Sequence, residues 1–270
     1  MAGPRAGLSY GTAEMYRIRR ILLFLVCGAW ALTAGVPGAA AFESGISATM
    51  TPDFMRFFDT LALTADYGPF NNRPPWVRKW AGPVRIVLDP SAEPLRTDVE
   101  QVAGRFSEWT DLPFMVMPPG TTRTPDSWNL ITIELLPRET FQQTYKTRDV
   151  VCQTETHGVG GTLQVGYMVL SEGYTDCLRH EFMHALGFDS HWYPQQPSVI
   201  KSVLAYRDSA ARANDYTPWD IMAIRVLYDF RIQAGMSRQK SLMIAHEVIS
   251  ERPQSAALQP VAGDTGSTIR

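Results

Sequence analysis

The stretch Cys177-Leu178-Arg179-His180-Glu181-Phe182-Met183-His184-Ala185-Leu186-Gly187-Phe188-Asp189-Ser190-His191 contains His-Glu-x-x-His, then a glycine, then a further histidine. In an α-helix, residues four apart lie roughly 40° apart around the axis and about 6 Å along it. His180 and His184 can therefore offer two imidazoles to one metal ion, and neutral imidazole nitrogen suits zinc. Glu181 projects from the same turn and can sit beside the metal as a proton acceptor without ligating it. Gly187 can end the helix with φ > 0 and reverse the chain, which would bring His191 back as a third ligand. Three protein ligands leave a fourth position for water, as in a hydrolytic rather than a structural zinc site. The bland alternative is an inert buried histidine pair. Against it stand the apolar helix, the glycine, and the gathering of three of the chain's five histidines in one stretch.

Upstream of the motif the hydrophobic pattern is regular. Val84-Arg85-Ile86-Val87-Leu88 reads as a strand, and Leu95, Val99, Val102 and Phe106, with Trp109, fall on one helical face. Phe114–Met117 and Leu130–Leu136 are further strands. A polar stretch with Thr140–Arg148 follows, then Val150-Val151-Cys152, a Gly158–Gly161 loop and a strand around Val165–Leu170. Downstream, Thr217 can cap a helix in which Pro218 fits the first turn and Asp220 suits the positive end. Ile221, Ile224, Leu227 and Tyr228 form its buried face. Strand, helix, then several strands before the metal helix describe an α/β (α+β) fold with a mixed, twisted sheet and a C-terminal helix.

The beginning of the chain reads differently. Arg17, Arg19 and Arg20 precede an apolar run from Ile21 to about Ala34, and Ala39-Ala40-Ala41 offers a cleavage site before Phe42. This is the pattern of a secretory signal peptide, with Met15 a candidate start. The apolar run is short for a membrane anchor and soon meets Gly35, Pro37 and Gly38, so no stable anchor is expected after cleavage. Residues 1–41 carry four basic residues and one acidic one, so the chain from Phe42 holds 21 Lys and Arg against 26 Asp and Glu. That balance points away from a nucleic-acid partner. Export leaves Cys152 and Cys177, an even pair for which a disulfide is expected in an oxidising compartment, periplasmic or extracellular; cysteine ligation of zinc is the competing reading.

Phe54, Phe57, Phe58 and Leu61 have helical spacing and precede the Pro- and Arg-rich stretch from Pro69 to Trp80. The expected organisation is a signal peptide at 1–41, an N-terminal arm at 42–81 packing on the domain, a zinc metallopeptidase-like domain at 82–236, an amphipathic helix at 237–251 and a disordered tail at 252–270.

From Gly82 to Phe230 the chain resembles a metzincin-type zinc metallopeptidase, whose motif His-Glu-x-x-His-x-x-Gly-x-x-His it matches through Gly187. Pro218-Trp219-Asp220 to Val226-Leu227-Tyr228-Asp229 resembles the end of matrixin-like catalytic domains. Cys177–Phe188, with Leu227-Tyr228-Asp229 and Ala234-Gly235-Met236, is similar to a bacterial domain family of unknown function. Two departures stand out. The third histidine of the motif falls at Ser190, so the candidates for third ligand are His191, one residue late, and Asp189, one residue early. The slot for the methionine beneath the zinc, Ser198-Val199-Ile200, holds none, and Val199 or Ile200 is expected to supply apolar support.

The resemblance implies zinc-assisted hydrolysis of a peptide or protein substrate, with His180, His184 and His191 as ligands and Glu181 as general base. It also implies a substrate added as a strand along the sheet edge before the zinc helix, with Thr162–Gln164 and His157 as candidates to line that cleft. Tyr193 and Tyr206 are candidate oxyanion donors. The alternatives are a zinc-containing module that binds peptide or cell-wall material without cutting it, and a zinc amidase acting on cell-wall peptides.

Overall fold

Four runs rich in apolar and β-branched residues, with one largely polar run at the edge, form the sheet among the described residues. The computed structural model describes residues 51–64, 76–121, 128–146, 150–194, 199–206 and 209–251. The expected signal peptide and tail lie outside them. The strands are β1 (Val84–Leu88), β2 (Phe114–Val116), β3 (Leu130–Leu136), β4 (Cys152–Val159) and β5 (Thr162–Ser171), in the spatial order β2-β1-β3-β5-β4. The pairs β1–β2, β1–β3 and β3–β5 are parallel, while β4 runs antiparallel to β5 at the edge. The sheet is mixed, and the α/β class expected from the element order holds.

Six α-helices accompany it among the described residues: α1 (Thr51–Leu63), α2 (Arg96–Thr110), α3 (Arg138–Tyr145), α4 (Leu178–Ala185), α5 (Pro218–Leu227) and α6 (Arg238–Glu251). Helix α4 carries the histidine motif and packs on β4 and β5. Phe106 of α2 sits at the core, its ring 5.7 Å from Phe182 of α4 and 5.8 Å from Phe114 of β2. Helix α5 begins as its sequence requires: Thr217 accepts from the Asp220 backbone N–H, the Asp220 carboxylate accepts from the Thr217 backbone N–H, and Pro218 takes the first turn.

The core continues into the arm. Phe54, Phe57, Phe58 and Leu61 of α1 are fully buried; Phe57 meets Trp192 edge-on at 5.1 Å and Phe54 stacks on Trp219 at 6.1 Å. Burial of such rings, each contributing on the order of 2 kcal/mol, makes α1 part of the domain's foundation. Residues 76–80 are bound as firmly. Lys79 pairs with Thr162, and its Nζ donates to the carbonyls of Leu227 and Ile232 at 2.9 and 2.7 Å. Burial lowers its pKa to about 8 against the pull of Asp229. Helix α6 packs on α1 and α5. The arm, as expected, packs on the domain, and α1 and α6 share its core.

Candidate metal centre

Helix α4 ends where its sequence says it should. Phe188 N–H donates to the Met183 carbonyl and Gly187 N–H to the His184 carbonyl, with Gly187 at φ 106°; this is a Schellman turn. The orphan carbonyls of Ala185 and Leu186 accept from Trp80 Nε1 at 2.8 Å and Tyr228 Oη at 2.9 Å. The turn also brings the Phe188 carbonyl to within 2.6 Å of His184 Nδ1.

Beyond the turn the chain folds back and places His191 against the helix. His191 Nε2 lies 3.0 Å from His180 Nε2, which lies 3.1 Å from His184 Nε2. Potential ligand atoms of the three residues all fall within 4.8 Å of one another. Ligand bonds of ~2 Å in tetrahedral geometry need nitrogens about 3.3 Å apart, close to these separations. His180, His184 and His191 are thus placed to bind a metal ion.

The tautomers follow from the partners. A carbonyl oxygen only accepts, so His184 Nδ1 carries the hydrogen it donates to Phe188, and His180 Nδ1 donates to the Val203 carbonyl at 2.7 Å. Arg212 Nη1 stands 2.7 Å from the same His180 Nδ1, but its hydrogens go to the carbonyls of Val203 and Ala205. Each Nδ1–H leaves a lone pair on Nε2. Two such lone pairs pointed at one another repel, and a shared cation turns that repulsion into ligation. Burial holds His180 well below the ordinary imidazole value, helped by His184, His191 and Arg212; it lowers His184 as well. Both are kept in the neutral form that a metal requires.

Glu181 is buried beside the triad, 4 % exposed, and its Oε2 has no hydrogen-bond partner. Burial raises its carboxyl above the usual range, opposed by His184, Thr154 and Arg212. A buried carboxylate oxygen left without a donor is costly. Three nitrogen donors are one fewer than the four that close a structural zinc site.

Asp189 is engaged elsewhere: Arg78 Nη1 lies 2.6 Å from both its oxygens. Ser190 is fully buried, 3.4 Å from Thr64 Oγ1. Val199 is exposed and Ile200 is buried, its carbonyl accepting from Trp192 Nε1. Direct support to His180 comes instead from Val203, whose N–H is held by Asp220 Oδ2 at 3.3 Å. Tyr206 stacks on His191, ring centroids 4.8 Å apart, and the exposed Tyr193 meets Tyr206 edge-on. His157 lies beside Glu155 and Tyr167, on the face of β4 opposite Thr154. Thr162–Gln164 do not form the sheet edge, because β4 covers one side of Thr162 and Leu163 while Lys79 covers the other. The edge is β4.

Cys152 and Cys177 form a disulfide, Cα atoms 6.6 Å apart, that ties the first residue of β4 to the residue before α4. Arg78, Val203 and Arg212 were not legible as site residues. They act through backbone carbonyls and long-range contacts, which leave no local pattern.

The fold and site define a mixed α/β domain in which two histidines of α4 and a third beyond its terminal turn are placed to bind a metal ion. The chain belongs to a family described as a protein of unknown function (DUF2927), which matches residues 51–246 and so spans α1 to α6. No curated protein and no solved structure matches the chain.

Proposed function

We propose that the protein is an exported zinc-dependent hydrolase, a metallopeptidase of metzincin-like type, with His180, His184 and His191 as ligands and Glu181 as general base. The observation that carries this reading is the buried Glu181 Oε2, without a partner beside three converging imidazoles. A purely structural site gains nothing from a carboxylate there. Three nitrogen donors with water in the fourth position are the set that zinc takes in hydrolases.

Bound zinc supplies Lewis acidity, activating water and polarising a carbonyl. Glu181 accepts the proton of the attacking water at Oε2 and passes it to the leaving amine as the C–N bond breaks. Val203 and Phe188 hold the two Nδ1–H groups and so keep both imidazoles turned inward. The substrate peptide lies along β4. Ser171 N–H donates to the Val151 carbonyl, so by alternation the backbone of Thr154 and Thr156 points away from β5 and is offered at the edge. Thr156 meets Arg78 there, leaving the Cys152–Thr154 half of the edge for an added strand.

The disulfide supports an oxidising compartment, in keeping with a cleaved leader at 1–41 and a periplasmic or secreted location. Among the described residues, no helix is long and apolar enough to cross a membrane. The test is incubation of purified protein with a peptide library, with and without chelator. Cleavage that chelator abolishes and zinc restores is expected; absence of chelator-sensitive cleavage contradicts the reading.

A further inference from the structure

The turn that delivers His191 is one residue wider than the metzincin motif provides, and each residue in it is tied down by a different part of the fold. Ser190 is buried against the end of α1, and Trp192 N–H donates to the Leu204 carbonyl. Asp189 is held by the arm. Arg78 Nη1 lies 2.6 Å from each carboxylate oxygen, and Nη2 donates to the Thr156 carbonyl and Oγ1, both at 2.7 Å. One guanidinium thus joins the edge strand to the residue midway between Gly187 and His191. Its side chain is 13 % exposed and that of Asp189 27 %, so water screens the pair little.

The approach of the arm is built into the helix end. A Cβ at Gly187 would stand 2.1 Å from the Arg78 carbonyl oxygen, so the backbone of residue 78 crosses the Schellman turn only because residue 187 has no side chain. We propose that Arg78 is a positioning residue of the metal centre: by fixing Asp189 it sets the wide turn that brings His191 to His180 and His184. A free Asp189 carboxylate in that turn could compete for the ion; paired with Arg78, it is held back from it.

This inference rests on the metal centre and not on hydrolysis, so it is tested by binding. Cobalt(II) is titrated into the full chain and its d–d absorption followed, since band position and intensity report the ligand set. Arg78→Ala is expected to weaken cobalt(II) binding by about 10–100-fold, the usual effect of losing an outer-shell partner, and to alter the spectrum. Asp189→Asn, which keeps the size of the side chain, should do the same, and the double variant should lose little more. Thr156→Val leaves the Arg78–Asp189 contact in place and should bind as wild type does. Folded Arg78→Ala or Asp189→Asn with wild-type affinity and spectrum overturns the proposal, as do additive losses in the double variant. Wild-type protein that binds no cobalt(II) overturns the metal centre itself, a separate failure.

Discussion

His180 Nε2 and His191 Nε2 lie 3.0 Å apart, although a helix end and a full reversal of the chain separate the two residues. The approach depends on the Schellman turn at Gly187, the tethering of Asp189 by Arg78, and the stacking of Tyr206 on the His191 ring. It makes the third ligand a histidine, with the nearer Asp189 engaged in an ion pair. His191→Ala should therefore lower zinc affinity by more than the roughly 10–100-fold typical of outer-shell changes. Isothermal titration of folded variants measures this. Equal zinc binding by His191→Ala and wild type would remove His191 from the site.

Gly187→Ala tests the helix end. The new Cβ would meet the Arg78 carbonyl at a backbone φ of 106° that alanine rarely adopts. A loss of stability of about 2–4 kcal/mol in urea unfolding is expected. A cost below about 0.5 kcal/mol would mean that the arm does not press on the turn.

Asp220 links α5 to the metal ligand. Its carboxylate accepts from Ser202 Oγ, from the N–H of Val203 and from the N–H of Thr217, and Val203 in turn holds His180. Burial raises its pKa to about 6. Asp220→Ala leaves these buried donors without an acceptor and should cost on the order of 3 kcal/mol. Zinc affinity should fall with it. Unchanged stability by thermal and urea unfolding would contradict that chain of contacts.

Stability of the metal-free protein should depend on pH with a definite sign. The folded-state pKa values of His180 and His184 are lowered from 6.5, so the unfolded chain binds more protons below that value. The stabilising contribution is present above pH 6.5 and is lost as pH falls through that value towards the folded-state pKa values. Asp220 acts oppositely: its pKa is raised from 3.8 to about 6, so the folded state gains stability as pH falls through that window. Glu181, whose carboxyl is also raised by burial, acts in the same sense as Asp220, so the comparison is made in Glu181→Gln, where the two histidines outweigh the one remaining carboxyl and urea unfolding should show a net loss of stability between pH 8 and pH 6. A gain of stability over that interval would reverse the assignment.

Much of the site was legible because its signals are local. The spacing of His180 and His184, the helix-ending Gly187 and the capping pair Thr217–Asp220 are short-range patterns tied to backbone geometry. The buried face of α1 was legible too, since Phe54, Phe57, Phe58 and Leu61 repeat at helical spacing. Helix α3 was not, because Phe141 is its single buried residue and leaves no apolar stripe. Strand β4, Cys152–Val159, was not legible between Val150-Val151-Cys152 and the Gly158–Gly161 loop, because its sequence is mostly polar and an edge strand with one largely exposed face lacks a clear apolar alternation. Arg78 and Asp189 are 111 positions apart, and an ion pair at that separation shows in no window of sequence.

The most direct test of the central claim compares peptide hydrolysis by wild type and Glu181→Gln at equal zinc content. The substitution keeps size and removes basicity, so zinc should be retained while hydrolysis falls by roughly two or more orders of magnitude. A zinc-loaded Glu181→Gln protein that cleaves peptide at the wild-type rate would contradict the mechanism.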